Sequence, residues 1–233
     1  MTEHISKQFD ADLEAIRSGV LAMGGLVEKQ LTRAIAVLQN PEEPVVEQVA
    51  RDEATINQMQ MSVDQQCYQL IARRQPAAGD LRMVMTVTKI VNELERIGDE
   101  VKKIAFKAHA LPPADKLALA RQHEIARVAV LARQMLQMAL DSFARLDVVE
   151  SAEIVRRDEA VDSAFQAITR QLVSYMMEDP RLISPALELL FIAKWLERIG
   201  DHSKNIAEHV VQAVKGVDVR HASPDEITAE VNA

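Results

Sequence analysis

The chain has few of the residues that build turns, clefts or crosslinks. Seven glycines and eight prolines in 233 residues leave little turn punctuation. Aromatics make up only 3%, so the core has to come from Leu, Ile, Val, Met and Ala. The single cysteine, Cys67, excludes an internal disulfide. It falls at an apolar position of a helical pattern and reads as core rather than catalyst. No apolar run approaches the ~18 residues that a membrane-spanning helix needs. The opening Met1-Thr2-Glu3-His4 lacks the basic and apolar regions of a secretory leader. Basic charge is also short: 27 Lys and Arg stand against 35 Asp and Glu, a formal net charge of −8. That balance argues against nucleic acid as a partner, because phosphate backbones require a basic footprint. Gly-rich phosphate loops and the Gly-x-Ser-x-Gly elbow are missing as well. With 48% hydrophobic residues, the composition predicts an all-α, soluble, cytoplasmic protein.

What is present occurs twice. Glu95-Arg96-Ile97-Gly98-Asp99 returns unchanged as Glu197-Arg198-Ile199-Gly200-Asp201, 102 residues later. Leu94 and Leu196, Ile90 and Ile192, Lys102 and Lys204, and Ile104-Ala105 and Ile206-Ala207 extend the match. Such self-similarity near half the chain length marks an internal duplication. Around each copy the apolar residues step by three and four, which places a stripe on one helix face. Glu and Asp four apart lie one turn above each other beside that stripe.

Six long helices are predicted. The first runs from Ser6 to Gln39 with Phe9, Leu13, Ile16, Val20, Met23 and Val27 inward, and Asn40-Pro41 ends it. Gly24-Gly25 inside it reads as close helix packing, with a dimer contact as the alternative. The second runs from about Pro44 to Arg73 and stops in a loop through Pro76 and Gly79. Asp80 is the expected N-cap of the third, which fades near Ala110. Leu111-Pro112-Pro113-Ala114 is the expected linker. The fourth helix spans about Asp115 to Arg145 and the fifth about Val148 to Glu178, where Asp179-Pro180 stops it. Ser184-Pro185 is the expected start of the sixth, which ends before Gly216. Short connections favour antiparallel neighbours. The expectation is a tandem duplication of two three-helix bundles, residues 1–110 and 115–216, followed by a polar, frayed tail over 217–233.

The second and fifth helices align at an offset of 105, where Val49, Ile56, Met59 and Val63 meet Ile154, Val161, Ala164 and Ile168. An offset of 106 matches Arg51-Asp52-Glu53-Ala54 to Arg157-Asp158-Glu159-Ala160 but sets Ile56 against Asp162. Packing fixes register more firmly than surface charge, so 105 is preferred. Asp158 and Asp162 then correspond to Glu53 and Asn57. The C-terminal half offers four carboxylates, Asp158, Asp162, Glu197 and Asp201. The N-terminal half offers Glu53, Glu95 and Asp99, with Asn57 in the remaining place. Clustered carboxylates suit Mg²⁺, Mn²⁺ or iron, and like charges at i,i+4 are otherwise mildly destabilising. The competing reading is a solvated acidic edge with Arg96 and Arg198 as local partners. Arg73 and Arg74 beside the loop suit either an anionic partner or the helix C-terminal dipole. His202 and His209 lie seven apart, a spacing that can share one helix face; His202 beside Asp201 reads as a surface residue, with an extra metal ligand as the alternative, and His4, His109, His123 and His221 are scattered.

Several separate motifs together resemble the PhoU family of phosphate-transport regulators. They are the duplicated Leu-Glu-Arg-Ile-Gly-Asp, Met23-Gly24-Gly25, Arg73-Arg74-Gln75-Pro76-x-x-x-Asp80-Leu81-Arg82, Met177-Glu178-Asp179 and Arg220-His221. The resemblance covers nearly the whole chain. It implies a tandem of two three-helix bundles, a homodimer, and a non-enzymatic negative regulator. It implies as partners the ATPase subunit of a phosphate ABC transporter and a sensor histidine kinase, with the membrane met only through them. No cofactor is obligatory, but some members bind multinuclear metal clusters through Glu/Asp-x-x-x-Asp motifs. That implies Glu95, Asp99, Asp158, Asp162, Glu197 and Asp201 as metal candidates, while Glu53 and Asn57 depart from the pattern. A metal-dependent hydrolase and a direct metal or phosphate sensor remain the alternatives.

Overall fold

The computed structural model of the chain describes residues 7–39, 43–111 and 124–232. Six long helices carry the architecture: α1 (Lys7–Gln39), α2 (Glu43–Arg74), α3 (Ala78–His109), α4 (Ala126–Arg145), α5 (Val148–Glu178) and α6 (Ile183–Lys215). A short α7 (Pro224–Asn232) follows, and there is no strand among the described residues. The break at Asn40-Pro41, the Pro112-Pro113-Ala114 part of the linker and the expected opening of the fourth helix at Asp115 lie outside the described residues, as do His4 and His123.

Each repeat folds because its three apolar stripes close on one another. On α1, Ile16, Val20, Met23, Val27 and Leu31 are buried at helical spacing, and α2 and α3 cover them. On α3 the buried set is Val87, Ile90, Leu94, Ile97, Val101 and Ile104; on α6 it is Leu189, Ile192, Leu196, Ile199 and Ile206. The glycine of each repeated motif faces the second helix of its own repeat. A Cβ on Gly98 would stand 3.3 Å from Ile56 Cδ1, and one on Gly200 would stand 3.3 Å from Val161 Cγ1. Ile56 and Val161 therefore occupy the same place in the two repeats, which agrees with the offset of 105.

The third helix of each repeat also packs on the other repeat. Lys107 Nζ lies 2.5 Å from Glu188 at one end of the α3–α6 pair, and Lys89 Nζ donates to Gln212 Oε1 at 2.9 Å at the other. The two helices are thus antiparallel. A second crossing joins α1 to α4. Gly24 faces Leu140 there, and a Cβ on it would come 2.3 Å from Leu140 Cδ2, whereas Gly25 has nothing within 4 Å. Gly24 is the packing glycine of the pair.

Three local expectations are corrected. Helix α3 begins at Ala78 behind an extended Ala77, so Asp80 lies inside the first turn and not at the cap. Helix α6 begins at Ile183, not at Ser184-Pro185, because a 3₁₀ turn over Pro180–Leu182 leads into it and the Asp179 side chain caps that turn. The tail expected to fray is ordered as α7. Ser223 and Glu226 form a reciprocal cap, with Ser223 N–H donating to Glu226 Oε2 at 2.7 Å. Ile227 and Val231 bury against Val155 and Val211.

The two adjacent glycines of α1 should respond oppositely to substitution. Gly25→Ala is expected to stabilise the chain by about 0.5–1 kcal/mol through helix propensity. Gly24→Val is expected to destabilise it by about 1–3 kcal/mol by overpacking the α1–α4 crossing. Urea unfolding of the two variants checks the signs.

Candidate functional site

The acidic residues gather where the second and third helices of each repeat run side by side. In the C-terminal seam, Asp162 of α5 and Glu197 and Asp201 of α6 bring one carboxylate oxygen each to within 4.8 Å of one another. Among the described residues this is the one trio of possible metal ligands so placed. Asp158, one turn before Asp162, stands beside the trio. Its Oδ2 accepts from Lys204 Nζ at 2.7 Å, while its Oδ1 is buried and has no hydrogen-bond partner. A second ammonium serves Glu197: Lys194 Nζ donates to its Oε1 at 2.6 Å and lies 5.4 Å from the centre of the Phe165 ring. Two lysines thus face four carboxylates. Burial and the remaining repulsion both make these acids weaker. Burial, then the charges of Glu197 and Asp158, push Asp201 up to about 6. Burial, Asp158 and Glu197 raise Asp162 also. Three converging carboxylates, with a buried Asp158 oxygen that has no hydrogen-bond donor beside them, fit Mg²⁺, Mn²⁺ or iron.

The N-terminal seam has the same scaffold and different chemistry. Glu53 is buried and accepts from Lys102 Nζ at 2.9 Å, the counterpart of Asp158 with Lys204. Asn57 turns its amide inward and donates to Glu53 Oε1 at 2.8 Å. A neutral donor therefore sits where the other seam has the Asp162 carboxylate. Glu95 is raised by burial and then by the charge of Asp99, but these two do not join a three-ligand group. Where Lys194 lies over Phe165, the N-terminal seam has Gln60 donating to Asn92 at 2.6 Å.

Between the seams, Arg96 of α3 and Arg198, Asp201 and His202 of α6 line a cleft where the two helices meet. Arg96 is exposed, and Arg198 donates to the buried Glu100 at 3.1 Å, tying α6 to α3. The other two candidate arginines sit elsewhere: Arg74 lies 3.5 Å from Asp12 of α1, and Arg73 borders a small cleft between α1 and α2.

A profile described as PhoU domain matches residues 20–108 and again 125–210. The chain belongs to the PhoU family. The PhoU homolog of Pseudomonas aeruginosa, a phosphate-specific transport system accessory protein, is 44% identical over 99% of this chain and 95% of its own length. The accessory protein PhoU of Escherichia coli K12 is 42% identical over 97% of this chain and 93% of its own. A crystal structure of PhoU from P. aeruginosa superposes with a TM-score of 0.82, covering 90% of this chain and all of that one at 42% identity. The phosphate transport system regulatory protein PhoU from Streptococcus pneumoniae superposes at 0.81 with 26% identity, covering 91% of this chain and 99% of that one.

The repeat pattern alone does not reveal what else this PhoU-family fold assembles at the site. His202, expected at the surface, and His209 converge on Glu93 of α3. His202 Nδ1 lies 2.6 Å and His209 Nε2 3.9 Å from its carboxylate, and Asn205 donates to it at 3.2 Å. His209 is buried. Burial by itself would raise the Glu93 carboxyl, but bonding from His202, His209 and Asn205 outweighs it and holds the group at about 2. Glu93 corresponds to Trp195 in the other repeat, so self-comparison is blind to it. Lys194 carries a local signal, since it precedes Glu197 by one turn. Cys67 is buried as expected, and burial followed by the Asp64 charge pushes its thiol up to about 12.

Glu208 lines a cleft with Asp158, Asp162, Lys204 and Arg220, roofed by the segment leading into α7. Burial is the main cause that pushes its carboxyl up to about 7, with Lys204 opposing and Asp158 adding to the rise. The folded chain thus holds this proton more tightly than the unfolded chain, whose carboxyl titrates near the ordinary 4.5. Its contribution to stability falls as pH rises from the ordinary range through about 7. Glu208→Gln is expected to flatten that slope and to leave the protein more stable than wild type at alkaline pH, read as urea midpoints across a pH series.

Proposed function

We propose that this chain is a non-enzymatic adaptor that restrains phosphate uptake and the phosphate-starvation response. In this reading it works in the cytoplasm as a homodimer. It docks on the ATPase subunit of a phosphate ABC transporter and on a sensor histidine kinase, and reaches the membrane only through them. The observation that carries it is the pair of acidic seams beside an antiparallel α3–α6 core, a charged surface suited to a partner. The names of its relatives, accessory and regulatory proteins of phosphate transport, supply the pathway. No described helix is long and apolar enough to cross a membrane. An adaptor of this kind transmits transporter state only if it binds one state better than the other.

A second component of the reading is cation binding at Asp162, Glu197 and Asp201. The unpartnered Asp158 Oδ1 beside that trio favours it. The cation would neutralise the seam and change what the face attracts. Glu95 and Asp99 are the weaker candidates, because Asn57 withholds a carboxylate from their seam.

Binding of the purified chain to the ATPase subunit and to the cytoplasmic part of the kinase, with and without Mn²⁺, tests the proposal. Saturable binding that weakens about tenfold or more in Glu197→Ala/Asp201→Ala is expected. A folded chain that binds neither partner would contradict the adaptor. Metal-dependent turnover of a phosphate ester, lost in Asp201→Ala, would install a hydrolase in its place.

A further inference from the structure

We propose that Lys194 is a built-in competitor for the cation of the C-terminal seam, so that this seam is gated by its own lysine and the N-terminal seam is not. The inference rests on the cation reading given above and concerns how that site is regulated. Its starting point is a difference between the repeats. Both seams hold one ammonium on the acidic residue of the second helix, Lys102 on Glu53 and Lys204 on Asp158. Only the C-terminal seam adds a second on the third helix: Lys194 reaches Glu197 Oε1 at 2.6 Å, where the N-terminal seam has the neutral Asn92 bonded to Gln60.

Glu197 is one of the three converging ligands. A cation drawing on both of its oxygens has to take the place of the lysine. The carboxylates do not otherwise lack for a ligand site, since Asp158 is 6% exposed and its unpartnered Oδ1 belongs to a side chain that lines the same cleft as Asp162. The displaced ammonium also has somewhere to go. Its Nζ already lies 5.4 Å from the centre of the Phe165 ring, and the face of an aromatic ring attracts a cation. Phe165 stands where the N-terminal seam has Gln60, so lysine and ring arrive together in one repeat and are missing together from the other. The arrangement offsets the charge of the trio from within the chain and sets a threshold that an entering cation must exceed. When it enters, Lys194 is released from Glu197 at the edge of the acidic face.

Mn²⁺ titration of the full-length chain, followed by electron paramagnetic resonance of free Mn²⁺, tests this. Lys194→Met is expected to bind Mn²⁺ about tenfold more tightly than wild type, and Lys194→Arg, which keeps the charge, no more tightly. Glu197→Gln/Asp201→Asn in the Lys194→Met background should abolish the gain, which places it at this seam. Lys194→Gln gives a second neutral variant if Lys194→Met melts early. Equal affinity in wild type and both neutral variants would overturn the gate and leave the cation site standing. No saturable Mn²⁺ binding by any variant would overturn the site and the gate together.

Discussion

The close approach of the second and third helices at Gly98 and Gly200 is the constraint on which the rest depends. With only hydrogen at these positions, Ile56 and Val161 come within van der Waals reach of the opposite backbone. Glu197 and Asp201 on one helix, and Asp158 and Asp162 on the other, meet across the seam, with Glu197 and Asp158 buried. A carboxylate removed from water needs a donor or a cation. Lys102 and Lys204 supply the common part of that requirement in both repeats, and the repeated motif therefore extends to a lysine three residues past its aspartate.

Duplication made two such seams, and side-chain changes made them unequal. Asn57 closes on Glu53 and lowers the acidic charge of the first. Asp162 keeps the second fully acidic, and Lys194 with Phe165 compensates it in part. The α3–α6 contact makes this inequality matter, because it joins the two seams. Glu93 with His202 and His209, Arg198 with Glu100 and Lys107 with Glu188 all bridge these two helices. These polar contacts tie the third helices of the two repeats to each other. A partner that lies across both seams meets two different surfaces.

Much of this was legible in the residues because packing leaves a periodic trace. The spacing of Ile90, Leu94, Ile97, Val101 and Ile104 announced a helix with one buried face, and the coincidence of Ile56 with Val161 announced the register of the seam. The caps were misread where local chemistry competes with the chain's path. Ser184-Pro185 has the composition of a helix start, but Asp179 had already captured the turn before it. The tail was misread in the opposite way. Ser223-Pro224-Asp225-Glu226 is a capping box with proline at the first position, and it precedes Ile227 and Val231 at helical spacing. Its polar composition masked a docked helix. The spacing of His202 and His209 hinted at a shared helix face, but Glu93, their partner, carried no trace, since contacts between repeats obey neither repeat's pattern.

The central claim is that the two seams differ in kind, with a cation site built into the C-terminal one. Anomalous diffraction from crystals grown with Mn²⁺ tests it most directly. The account predicts a strong peak among Asp162, Glu197 and Asp201 and none of comparable height beside Glu95 and Asp99. Peaks of equal height at both seams, or none at the C-terminal one, would contradict it.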